Sequence, residues 1–208
     1  VCLACEKPWF VAKKPHVDVI RNFLRVIEST EWDHLKPSRR EDMPAWPITW
    51  EFYMSGKIEA RLKDLGIVLP PPAKPAANYV PTVRTGNLVY VAGQVPMVEG
   101  KFEYQGKLGK DYSVEEGQAC ARLVATNVIA QLKEACGGDL DRVRQAVKLN
   151  GFVNCTPEFV EQPHVINGAS ELMIEVFGDN GRHARSAVGV TSLPFGVAVE
   201  IDGVFEVE

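Results

Sequence analysis

The 208-residue sequence holds no uninterrupted apolar run of the length a bilayer demands, so a soluble protein is expected. Its first residues, VCLACEKPWF, lack a basic stretch followed by an apolar core; no secretory leader is read there, and a cytoplasmic setting is expected. Positive charge is not in excess. Twenty-three Lys and Arg stand against 27 Asp and Glu, a net charge of −4, which gives no electrostatic footprint for a polyanion such as nucleic acid. Cysteine is sparse, and five of them at irregular spacing fit reduced thiols better than a disulfide framework. Cys120, Cys136 and Cys155 fall in apolar patterns and read as core or near-core residues. Cys2 and Cys5 form a lone C-x-x-C with no second pair at zinc spacing, and His16 is remote from it, so no metal site is read.

What is present describes one globular domain with an appendage: 46% of the residues are apolar and 24% charged. Composition changes near residue 54. All four tryptophans, Trp9, Trp32, Trp46 and Trp50, precede Met54, and so do the prolines Pro37, Pro44 and Pro47 amid charges. One amphipathic helix is plausible there, from Val17, Ile20, Leu24 and Ile27 at helical spacing. Residues 1–53 are read as an N-terminal extension of undetermined role, and 54–208 as the domain, with its core from about residue 75.

Within the domain, IEARLKDLG reads as a short helix closed by Gly66, and LPPPAKPAA as a stiff connector that keeps this helix off the sheet. Two strands flank the turn residues Thr85, Gly86 and Asn87, and a hairpin is placed around Gly100 and Gly106. Ser113 and Glu116 form a capping box ahead of a helix whose face carries Ala121, Val124, Val128, Leu132 and Ala135. RVRQAVKLNGFVN reads as a strand with Val143, Gln145, Val147, Leu149, Gly151 and Val153 on one side. A second long helix is expected from about Val165 to Phe177, stopped by Gly178, and two strands finish the chain. Strands crossing over through helices imply an α+β fold, a mixed sheet with two helices packed on one face. The other face then needs cover, and a homo-oligomer is expected to give it.

Two charges interrupt this apolar text. Arg185 opens one strand and Glu200 sits in the middle of the next, where an unpaired charge is costly. Read from pattern alone, Arg185 fits a solvated or salt-bridged strand residue, and Glu200 an exposed strand edge whose charges discourage pairing. On the same terms Tyr79 is an ordinary sheet aromatic, Asn167 a first-turn residue satisfying backbone groups, and His164 and His183 surface residues, with His183, two residues from Arg185, also a candidate for the pocket rim.

HARSAVGVTSLPFGVAVEID, preceded by VYVAGQVP and NYVPTVRTGN, resembles the RidA (YjgF, L-PSP) family over most of residues 75–208. The resemblance implies a chorismate-mutase-like fold, assembly as homotrimers, and hydrolysis of reactive enamines and imines of the 2-aminoacrylate type to a 2-oxo acid and ammonium. It assigns Arg185 to the substrate carboxylate and Glu200 to the orientation or activation of water. Tyr79, Ala92, Gly93, Asn167 and Ala187 fall at pocket positions, with Gly93 and Gln94 keeping the family's G-Q step. No metal or organic cofactor is implied, because a protonated imine is already a strong electrophile. Two departures stand out: Ala92 replaces a frequent serine and Ala187 a frequent cysteine. They leave open a second reading, a trimeric binder of 2-oxo acids without turnover. The older family label of endoribonuclease or translation inhibitor is a third, against which the acidic composition argues.

Overall fold

The computed structural model describes residues 56–75 and 77–208. The expected leader helix, the C-x-x-C pair, the four tryptophans and the boundary at Met54 lie outside the described residues. Among the described residues no helix is long and apolar enough to cross a membrane.

Helix α1, Lys57–Asp64, ends as its sequence demands, with Gly66 in the left-handed region at φ 68°. Its start is held from far along the chain. The Asp141 carboxylate accepts from the Lys57 and Ile58 amides at 2.8 and 2.9 Å, filling donors that a helix N-terminus leaves open. Strands β1 (Thr82–Thr85) and β2 (Leu88–Gln94) form the first hairpin, turning at Gly86 with φ 58°. Strands β3 (Met97–Val98) and β4 (Lys101–Phe102) form a separate hairpin. Its two turn residues, Glu99 and Gly100, both have positive φ, the twist that a two-residue hairpin needs.

The capping box forms as its residues predict: Ser113 Oγ accepts from the Glu116 amide and the Glu116 carboxylate accepts from the Ser113 amide, opening α2, Val114–Ala135. Strand β5 (Val143–Asn154) leads into α3, Gln162–Phe177, then β6 (Ala184–Val190) and β7 (Val199–Val207). Helix α3 begins three residues before the expected Val165, because Pro163 occupies its first turn, where its missing N–H costs nothing.

The five-stranded sheet runs β1-β2-β7-β5-β6, antiparallel except for β5 and β6, which α3 joins as a crossover. Helices α2 and α3 cover one face. Val199, Ile201, Phe205 and Val207 of β7 meet Val124, Val128 and Leu132 of α2 and Ile166, Leu172 and Val176 of α3 in one buried core. Cys120, Cys136 and Cys155 are free and buried, as expected, and burial pushes the Cys120 thiol up to about 12.

Strand β5 departs from the simple alternation read in its sequence. Its register against β7 shifts between Val143 and Gln145 and again between Ala146 and Lys148. These irregularities bury Ala146 and leave Val147 exposed, so the core face is Val143, Ala146, Leu149, Gly151 and Val153. The opposite sheet face carries no helix among the described residues. Across it, one register row places Val83, Tyr90, Val204 and Lys148 side by side, with Val83 52% and Tyr90 45% exposed.

The two helices touch most closely at Gly168, where a Cβ would overlap the backbone carbonyl of Gln118 on α2. Gly168→Ala is expected to lower stability by about 2–3 kcal/mol through overpacking, seen as a lower urea midpoint at unchanged slope. An unchanged midpoint would show that the helices part without strain.

Candidate functional site

The strand pairing sorts the candidate residues onto two faces. Leu149 pairs with Arg185 and with Gly203, while Gly151 pairs with Ala187 and with Ile201. Those rows face the helices: Leu149 and Ile201 are fully buried, and a Cβ on Gly151 would collide with Ile166 of α3. Glu200 pairs with Phe152, the intervening row, and points to the uncovered face. Arg185 and Ala187 thus stand on the helix side at the β6 edge, and Glu200 on the other side of the sheet, with β5 between β7 and β6. One chain does not bring the arginine and the glutamate together.

Around Arg185 the sheet edge meets the start of α3. Nη1 donates to Asn167 Oδ1 at 2.9 Å and to Ser170 Oγ at 3.0 Å, and Nη2 donates to the Pro163 carbonyl at 3.1 Å. Guanidinium has five N–H donors, so Nε–H and one Nη2–H have no acceptor among the described residues. Nε and Nη2 share one edge of the guanidinium plane, the edge along which a carboxylate pairs. Desolvation lowers the Arg185 pKa, the mark of a cation short of negative partners. Asn167 is therefore more than a first-turn residue satisfying backbone groups.

Sequence reasoning missed Ser170 and the Pro163 carbonyl. The signal was there in part, since Asn167 and Ser170 are three residues apart and share a helix face. His183 is not a plain surface residue either. It is half-buried, its Nδ1 lies 2.7 Å from the Gly181 carbonyl and its Nε2 lies 3.1 Å from Ser170 Oγ. A carbonyl only accepts, so Nδ1 carries the proton, Nε2 is an acceptor, and the Ser170 hydroxyl donates to it. Burial pulls the His183 pKa down, the Gly181 bond opposes this, and the Arg185 charge adds to the lowering. The His164 contacts are of its backbone: its carbonyl accepts from Gln118 Nε2 and its amide donates to the Glu161 carbonyl.

Glu200 occupies a central strand, not the edge that its charged neighbours Asp202 and Glu206 suggest. Opposite it, β2 bulges: Ala92 and Gly93 together span the place of Asp202, between the pairs Val91↔Gly203 and Gln94↔Ile201. Gln94 Nε2 holds the bulge by donating to the carbonyls of Ala92 and Gly93 at 3.0 and 3.3 Å. The bulge presses Gly93 onto the carboxylate; a Cβ there would overlap Glu200 Oε1. This is the physical need for glycine in the G-Q step. Burial raises the Glu200 pKa above the ordinary range and the nearby Asp202 carboxylate raises it further. Glu200 has no hydrogen-bond partner among the described residues, whereas Asp202 accepts from Asn150 Nδ2 at 2.7 Å. Tyr79, 47% exposed, lies in the bend before β1, two residues ahead of Pro81, whose carbonyl accepts from the Ala92 amide at 2.9 Å.

The candidates form two groups: Arg185, Asn167 and Ala187 at the β6 edge, and Glu200, Gly93, Ala92 and Tyr79 toward β1 and β2. Three acidic side chains elsewhere, Glu59, Asp139 and Asp141, come within ligand distance of one another. All three already serve the fold: Asp139 accepts from the Asp141 amide at 3.0 Å. Asp141 caps α1, and Glu59 accepts from the Leu140 amide and pairs with Lys133.

Residues 59–200 match the family described as "YjgF/chorismate_mutase-like, putative endoribonuclease". Protein TCP17 of Trypanosoma cruzi is 52% identical over 153 residues, 73% of this chain and 95% of TCP17. A crystal structure of a protein of unknown function from Agrobacterium tumefaciens is 53% identical with a TM-score of 0.69, covering 73% of this chain and 92% of that one. A Shewanella oneidensis MR-1 protein labelled an endoribonuclease is 39% identical with a TM-score of 0.71, covering 73% of this chain and all of that one.

Gly93→Ala is expected to drive the Glu200 carboxylate away from β2 into water. Its titration midpoint, followed by carboxyl NMR, would then fall toward the ordinary glutamate range. An unmoved midpoint would mean that the bulge does not confine it.

Proposed function

The chain belongs to the YjgF/chorismate-mutase-like family, and on that premise we propose that it hydrolyses reactive 2-imino acids and their enamine tautomers to 2-oxo acids and ammonium. One observation carries the reading. The Arg185 guanidinium keeps free N–H donors, and the half-buried Glu200 carboxylate has no cation beside it among the described residues, two unmet charges of opposite sign. A protonated 2-imino acid carries both complements, a carboxylate at one end and an iminium nitrogen next to it.

The two groups stand on opposite sides of one sheet, so the site we propose is shared between copies. The exposed apolar row of Val83, Tyr90 and Val204, together with Val188 on β6, is the surface proposed to close it, as a homotrimer. In that assembly Arg185 of one copy holds the substrate carboxylate, with Asn167, Ser170 and the Pro163 carbonyl fixing the guanidinium. Glu200 of a neighbouring copy removes a proton from water as its oxygen bonds to C2, and the C=N pair moves onto nitrogen. The protonated Glu200 then returns that proton to the amino group, and the C–N bond breaks as the C2 carbonyl forms, ionised Glu200 taking the hydroxyl proton from oxygen and passing it to the departing ammonia. Water and iminium are consumed, a 2-oxo acid and ammonium released, and Glu200 ends ionised. Its raised pKa suits both roles. The protonated imine is itself the electrophile, so the reaction as written calls for no metal or organic cofactor.

A second reading, binding of 2-oxo acids without turnover, has support in Ala92 and Ala187, which bring neither hydroxyl nor thiol to the site, while the Arg185 cradle is complete within one chain. The endoribonuclease label of relatives finds no support in composition, the net charge of the chain being −4.

Arg185→Ala is expected to reduce ammonium release from freshly generated 2-aminoacrylate by about a hundredfold or more, with the oligomer unchanged by light scattering. Full activity would remove Arg185 from the mechanism. Wild-type binding of 2-oxobutyrate by calorimetry without any turnover would favour the second reading. The kcat/KM profile is expected to fall on its acid side as Glu200 is protonated, above the ordinary glutamate range. Asp202→Asn, which removes the charge that helps raise Glu200, is expected to move that limb to lower pH. A limb that stays put would assign it to another group.

A further inference from the structure

We propose that Ser170 and His183 are positioning residues for Arg185: the neutral imidazole orients the serine hydroxyl, and the hydroxyl orients the guanidinium so that its open edge faces the substrate carboxylate. The inference rests on Arg185 as the carboxylate holder and adds what keeps it in place. The chain of contacts runs in one direction. The Gly181 carbonyl fixes the proton on His183 Nδ1 at 2.7 Å, which leaves Nε2 as an acceptor; the Ser170 hydroxyl donates to Nε2 at 3.1 Å, and its lone pair then accepts from Arg185 Nη1 at 3.0 Å. While the imidazole is neutral, each group has one arrangement in which all three bonds exist.

Rotation about Cδ–Nε would swing the guanidinium plane and carry its free donors away from the substrate. Asn167 and the Pro163 carbonyl hold two donors, and Ser170 takes the second Nη1 hydrogen, so with all three in place the remaining donors are Nε–H and one Nη2–H. Without Ser170 the cation keeps its charge but loses a constraint on its orientation, and an Nη1 donor is left to compete for the substrate.

The relay also couples carboxylate binding to a proton. Arg185 is the charged group that lowers the His183 pKa. On the elements around the imidazole, Asp179 pairs with Arg182, Glu175 and Glu171 act on Arg122, and Lys148 lies beside Ala184 on the far face of the sheet. A carboxylate arriving at Arg185 cancels its repulsion of the imidazolium, so the His183 pKa rises on binding. By linkage, anion affinity grows as pH falls through that midpoint.

The test uses the full chain, with Ser170→Ala, Ser170→Thr and His183→Phe beside the wild type. Ser170→Ala removes a hydrogen bond to a charged group, so the Kd for 2-oxobutyrate and the KM for 2-aminoacrylate are expected to rise about tenfold with kcat within about twofold, and Ser170→Thr to restore both. The order parameter of Arg185 Nε by ¹⁵N relaxation is expected to fall in Ser170→Ala and His183→Phe and to be kept in Ser170→Thr. In wild type, saturating 2-oxobutyrate raises the His183 midpoint; in Ser170→Ala a smaller rise is expected. An unchanged Arg185 order parameter in both Ser170→Ala and His183→Phe overturns the relay whatever the protein does with substrate. Wild-type protein that is ordered at Arg185 but releases no ammonium overturns the hydrolase reading and leaves the relay supported.

Discussion

Alternation along β7 is the constraint from which the rest follows. Successive side chains of a strand face opposite sides of the sheet, and in β7 one set, Val199, Ile201, Phe205 and Val207, lies under the two helices. The other set, Glu200, Asp202, Val204 and Glu206, must face away from them. Moving the strand by one residue would bury three carboxylates in the helix layer, so the core alone fixes where Glu200 points. Arg185 is held to the opposite side with equal force, because its row continues through Leu149 and Gly203. A mechanism that uses both charges on one substrate therefore needs two copies of the chain. The requirement comes from pleat geometry and involves no assumption about the assembly.

The two charges are prepared differently. Arg185 sits at a sheet edge against the first turns of a helix, where carbonyl and side-chain oxygens are close at hand, and three of its donors find them. Glu200 sits on a central strand against a glycine, with a second carboxylate nearby and no donor among the described residues. One charge is held rigidly and partly satisfied, as a binding group should be. The other is kept unsatisfied, which raises its proton affinity and suits a group that must take up a proton and give it back.

Much of this was legible in the chain and some was not, for definite reasons. The capping box at Ser113 and Glu116, the stops at Gly66 and Gly178 and the strand alternation of β7 depend on neighbours within a few residues, and they read correctly. Strand β5 did not, since its irregularities arise from pairing with β7 over 50 residues away, and Val147 left the core as a result. Arg185 and Glu200 could be singled out because charge in apolar text is conspicuous. Their opposite orientation was implied by strand parity but needed the register through β5 to be established. Ser170 stayed hidden because serine is unremarkable in sequence, and His183 reads there as a surface or pocket-rim residue without its partner. Only the crossing of α3 over β6 gives them a common task.

The electrostatic arrangement also bears on what the site refuses. A polyanion that approached the Arg185 fork in a closed assembly would bring further negative charge toward Glu200 and Asp202, whose mutual repulsion already raises the Glu200 pKa. A small zwitterion meets no such penalty, since its positive end relieves the strain that its negative end would otherwise increase. A 2-oxo acid product lacks that positive end. In the proposed reaction it would keep the contact with Arg185 but lose the one with Glu200, so the pair of charges that would draw in a protonated imine would weaken its hold once the nitrogen has gone.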